Sequence, residues 1–93
     1  MRIDRRKRFL RRYKRLTPTQ RKLVEDAVAL FLSDCSAARL DFKQRVNSRY
    51  HSIRVGTNAD NLRIAMLKID EDFYAFEFIG NHDDLNSLDR QDR

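Results

Sequence analysis

Hydrophobic positions change their period twice along this chain. Over RRKRFLRRYKRL, residues 5–16, Phe9, Leu10, Tyr13 and Leu16 recur at helical spacing with basic residues between them, which predicts an amphipathic helix. The residues ahead of it leave room only for a strand stub over 1–4. TPTQ follows: Thr17 suits an N-cap, Pro18 the first helical position, and Gln20 the reciprocal place of a capping box. A second helix is expected to run to about Asp34, burying Val24, Ala27, Val28 and Phe31, with Leu32 at the margin. The short break at Thr17–Pro18 folds the pair into an antiparallel hairpin over 5–34.

No period holds from Ser33 to Arg49. Beyond it the spacing shortens to that of strands: YHSIRVG, LRIAMLKID and FYAFEFIG, separated by TNADN and an acidic turn at Asp70–Asp72. Short loops between such runs predict an antiparallel meander over 50–80. Alternation puts Ile53 and Val55 on the core face with His51, and Ser52 and Arg54 opposite. In the last run Tyr74, Phe76 and Phe78 form the core face, with Phe73, Ala75, Glu77 and Ile79 behind. The expectation is a single α+β domain over 1–93. Its N-terminal helical hairpin packs on one face of a small antiparallel sheet of three main strands plus the N-terminal stub. Residues 81–93 show no clear period and are expected as a tail.

Charge sharpens this outline more than composition does. The net charge is +6, and its distribution is uneven. Residues 1–16 carry +8, residues 17–80 balance to zero, and residues 81–93 carry −2. A concentrated basic segment points to nucleic acid or another polyanion, because phosphate contacts release counterions. No apolar run approaches the ~20 residues that span a bilayer, so no membrane partner is expected. The single Cys35 cannot form an internal disulfide, and no Cys/His spacing suggests a metal site. A reducing, cytoplasmic setting and no cofactor are the matching expectations.

Taken in order, RKRFLRRYKRL, the FK at 42–43, YHSIRV at 50–55, LRIAML at 62–67 and FEFIGNHDDL at 76–85 resemble the RelE/ParE superfamily of bacterial toxins over nearly the whole chain. The resemblance implies a toxin of a type II toxin–antitoxin system, held inactive by a cognate antitoxin protein. In the RelE-like branch, the one favoured here, it implies a metal-independent endoribonuclease that cuts mRNA on the ribosome and so inhibits translation. In the ParE-like branch it implies a DNA gyrase inhibitor acting by binding alone. A non-catalytic RNA-binding domain on the same fold is a third possibility. Carried over by position, Arg54, Arg63 and His82 are the implied catalytic residues. Leu85 and Asn86 stand where many members have an aromatic, and Ser52 where some have a lysine.

These residue types suit the chemistry. Internal transesterification of RNA needs a group to take the 2′-hydroxyl proton, positive charge on the phosphate, and a proton for the departing 5′-oxygen. Histidine exchanges protons near neutral pH, which suits His82 to one of those transfers. Arginine is always charged and donates two parallel hydrogen bonds, which suits Arg54 and Arg63 to the phosphate. A charge such as Arg63 in a strand apolar on both faces is expected to reach a cleft or a carboxylate such as Glu77. Arg5, Arg6, Arg8 and Arg12 of the basic segment, with Lys43 and Arg45 ahead of the sheet, are the expected contacts to RNA or ribosome.

Overall fold

The computed structural model describes residues 1–91. Strand β1 (Arg2–Arg5) leads into helix α1 (Lys7–Tyr13), helix α2 (Pro18–Ser33), and strands β2 (Lys43–Gln44), β3 (His51–Val55), β4 (Leu62–Asp70) and β5 (Phe73–Gly80). A third helix, α3 (His82–Gln91), follows. The class is α+β as expected, but the sheet has five strands in the order β1-β5-β4-β3-β2 and is mixed, because β1 runs parallel to β5. The basic helix is shorter than its pattern suggested. Arg5 belongs to β1, paired with Phe76, and Arg6 is the N-cap of α1.

The start of α2 is set by the box read from sequence. The Thr17 hydroxyl accepts from the Gln20 N–H at 3.1 Å, and the Gln20 side chain accepts from the Thr17 N–H at 2.9 Å. Two of the helix's orphan amide donors are thereby satisfied. Val24, Ala27, Val28 and Phe31 are buried on the sheet, as the 3.6-residue period requires, whereas Leu32 and Leu10 lie outside the core. That core also takes Phe9 from α1 and Ile53, Val55, Leu62, Ile64, Met66, Tyr74, Phe76 and Ile79 from the sheet. Phe31 meets Phe42, Tyr74 and Phe76 with ring centroids 5.1–6.1 Å apart, within the range where aromatic pairs attract beyond their area.

The faces of the last strand, the one-sided helices and the tail also depart from expectation. Strand β5 carries a bulge: Ala65 pairs with Phe78 and Met66 with Phe76, leaving Glu77 as an extra residue. One inserted residue reverses the alternation beyond it. Ile79 therefore enters the main core, and Phe78 crosses to the other face. That other face is also covered, so the helices do not sit on one side only. Residues 82–91 form α3 in place of the expected tail; residues 92 and 93, also assigned to that tail, lie outside the described residues.

The helix begins at a second reciprocal box. The Asn81 side chain accepts from the Asp84 N–H at 2.8 Å, and the Asp84 carboxylate accepts from the Asn81 N–H at 3.0 Å. Asp83 and Asp84 in the first turn complement the positive end of the helix dipole. Leu85 and Leu88 are buried against Tyr50, Ala65 and Phe78. Gly80 precedes this turn because a Cβ there would stand 2.7 Å from the Asp84 Cβ.

Candidate functional site

Antiparallel pairing of β3 with β4 sets Arg54 directly opposite Arg63. Both lie on the face that carries Ala65 and α3, since Ile53, Val55, Leu62 and Ile64 point the other way into the main core. His82, the first residue of α3, arrives at the same end of the sheet. Its backbone N–H is 3.4 Å from the Asn61 side-chain oxygen. Asn61 itself sits in the left-handed region, closing the short turn Asn58–Asp60. Arg54, Arg63 and His82 thus line one open depression of about 270 Å³, with Thr57, Asn58, Asn61 and Leu62 completing it. The three residues assigned to catalysis from widely separated motifs are brought together.

The arginines are anchored by a residue that sequence reading did not single out. Arg63 donates from Nη2 to the Asp41 carboxylate at 2.7 Å, not to Glu77. Arg54 Nη2 lies 3.8 Å and Lys43 Nζ 3.4 Å from the same carboxylate oxygen. The Arg63 hydrogen bond, opposed by partial burial and aided by Lys43, holds the Asp41 carboxyl below its usual range. Three cations share one carboxylate, so the cluster keeps a positive excess. Arg54 Nε and Arg63 Nη1 are buried and have no hydrogen-bond partner among the described residues. Both guanidiniums also line the depression, where their positive charge favours an incoming anion. Glu77 instead stands 4.0 Å from Arg6. Sequence offered a weak signal for Asp41: an aspartate beside Phe42, in a stretch without period.

The residues assigned to RNA contact divide sharply. Arg5 makes a two-pronged ion pair with Glu25 at 2.9 and 2.7 Å, and Tyr13 donates to the same carboxylate at 2.6 Å. Arg12 donates to the Ile79 carbonyl and, at 3.1 Å, to Asp84, with its guanidinium 4.2 Å from the Phe78 ring centroid. It ties α1, β5 and α3 together. Arg45 is nearly buried, paired with Asp89 at 2.9 Å and Asn86 at 3.0 Å. These three hold the fold. Arg6 pairs with Asp4 at 3.0 Å, and Arg8 lies over Phe78 at 5.6 Å. Lys43 is exposed beside the depression. Lys7, Arg11, Lys14 and Arg15 are exposed along and just beyond α1. His51 is wedged between Phe42 and Tyr74, remote in role from the depression.

No family model matches this chain, and no curated protein matches it by sequence. A solved structure does match. A chain of the RelB–RelE antitoxin–toxin complex from Methanococcus jannaschii superposes with a TM-score of 0.67, covering 91% of this chain and 96% of that one. The sequences are 21% identical over this match, which establishes a shared fold.

Proposed function

We propose that this chain is the toxin of a toxin–antitoxin pair and acts as an endoribonuclease on mRNA at the ribosome. The observation that carries this reading is the meeting of Arg54, Arg63 and His82 around one open, positively charged depression. The likeness to a chain of an antitoxin–toxin complex supports the same class of partner for this one. A scissile phosphate in the depression receives hydrogen bonds from Arg54 and Arg63, which stabilise the charge that builds on its oxygens. The 2′-oxygen attacks phosphorus and the bond to the 5′-oxygen breaks, leaving a 2′,3′-cyclic phosphate and a 5′-hydroxyl. His82, exposed at the rim, carries one of the two proton transfers. Among the described residues of the depression no second imidazole or carboxylate is present for the other.

The test is expression under tight control with 5′-end mapping of cellular mRNA, beside an assay for gyrase-dependent DNA breaks. Codon-phased mRNA cuts are expected, lowered about 10²-fold by His82→Ala and by Arg63→Ala. Growth arrest with DNA breaks and intact mRNA would overturn the nuclease reading in favour of gyrase binding. Undiminished cutting by both folded variants would remove these residues from the site.

A further inference from the structure

Asp41 is held with unusual firmness for a surface carboxylate. It follows the 3-10 turn Ala38–Leu40 with a left-handed backbone, φ 46°, a conformation that L-residues other than Asn, Asp and Gly rarely adopt. Leu40 before it is buried in the main core, and Phe42 after it packs on Phe31 and Tyr74. The chain on both sides is therefore pinned, and the carboxylate is presented in one place. There it receives Arg63 and lies near Arg54, each approached through Nη2, with Lys43 as a third cation.

The side from which it approaches decides its role. Asp41 is absent from the lining of the depression that holds Arg54, Arg63 and His82. It lines a separate hollow with Cys35, Ser36 and Phe42. Asp41 meets each arginine through Nη2 alone, and both side chains still line the depression. Arg54 and Arg63 also stand directly opposite across antiparallel strands, where like charges repel. A carboxylate behind both offsets that repulsion without occupying the place of an incoming anion.

We propose that Asp41 is a positioning residue, bracing the Arg54–Arg63 pair from behind so that both guanidiniums are set to receive one RNA phosphate. This rests on the reading of the depression as a phosphodiester site. Electrostatics alone predicts the opposite behaviour, since removing a negative charge beside an anion site strengthens anion binding. The brace and a simple charge effect therefore differ in sign.

The experiment is an NMR titration of the full chain with a 2′-O-methyl RNA trinucleotide, which cannot undergo internal transesterification. Wild type is expected to bind in an Arg63-dependent manner. Asp41→Asn should bind about five- to tenfold more weakly, as when a partner that orients a ligating group is removed. Asn tolerates the left-handed backbone, and Asp41→Gly, read the same way, serves if Asn fails to fold. In an Arg63→Ala background, Asp41→Asn should no longer weaken binding. Equal or tighter binding by folded Asp41→Asn, with Arg63-dependent binding intact in wild type, would overturn the brace alone. Absence of Arg63-dependent binding in wild type would overturn the phosphodiester reading, and the brace with it.

Discussion

Arg45 and Asp89 are predicted to stabilise the fold strongly, although Arg45 reads from sequence as a nucleic-acid contact. Their side chains are 9% and 11% exposed and meet at 2.9 Å. Arg45 also donates to Asn86 at 3.0 Å, and Ser48 donates to Asp89 at 2.6 Å. Asp89→Ala leaves a nearly buried guanidinium with a single amide acceptor. Breaking one side of such a pair costs about 3 kcal/mol. For a chain of 93 residues that loss lowers Tm by roughly 12–24 °C. Urea and thermal unfolding followed by circular dichroism, on Arg45→Ala, Asp89→Ala and the double variant, measures both the losses and their coupling. The expected double variant is less destabilised than the sum of the singles, because neither charge is then left stranded. Single losses below about 1 kcal/mol, the range of solvent-exposed pairs, would refute the reasoning. So would a fall in RNA affinity for Arg45→Ala without any fall in stability.

Two further predictions concern polar atoms inside the fold. Ser52 is fully buried and its hydroxyl has no hydrogen-bond partner among the described residues, so Ser52→Ala should be neutral or stabilising by up to about 1 kcal/mol in urea unfolding; a loss of more than about 1 kcal/mol would show that the hydroxyl is satisfied in solution. Burial first and Lys68 second hold the His51 imidazole below its ordinary 6.5. The unfolded chain then binds the proton more readily, so His51 contributes stability that is present above about pH 6.5 and lost as pH falls through its lower folded value. His51→Phe, which keeps the packing with Phe42 and Tyr74, should flatten that part of a plot of unfolding free energy against pH. An unchanged slope would assign it to another group.

Periodicity made α2 legible because local chemistry fixed it: Thr17, Pro18 and Gln20 specify where it begins whatever surrounds it. The same logic was available for α3, where Asn81 and Asp84 form a box ahead of Leu85 and Leu88. The polar Asn86 and Ser87 between those leucines, and the charged residues on either side, obscured a two-residue apolar contact. The bulge at Glu77 was not legible, since FYAFEFIG is apolar on both faces and alternates plausibly in either register. Its register is chosen by pairing with β4, a non-local contact. The candidate site was legible in its arginines and histidine but not in its counterion. Asp41 becomes their neighbour only when the stretch without period folds back beside β3 and β4. Arg5, Arg12 and Arg45 carry the same lesson in reverse, because a basic residue looks identical in sequence whether it faces solvent or a carboxylate of its own fold.

The pairing of β1 with β5 has a consequence for how the chain is made. Arg2 lies beside Phe73 and Arg5 beside Phe76, so the first strand has no place in the sheet until nearly the last has been synthesised. Contacts of such long span close late, after the entropy of the intervening loop has been overcome. Helices α1 and α2 emerge early and must wait with their apolar faces uncovered. Arg54 and Arg63 gain His82 as a neighbour only when α3 forms, after all five strands have been synthesised. The candidate site is therefore completed only after the sheet, and a chain stalled short of residue 80 carries its basic segment without a complete depression.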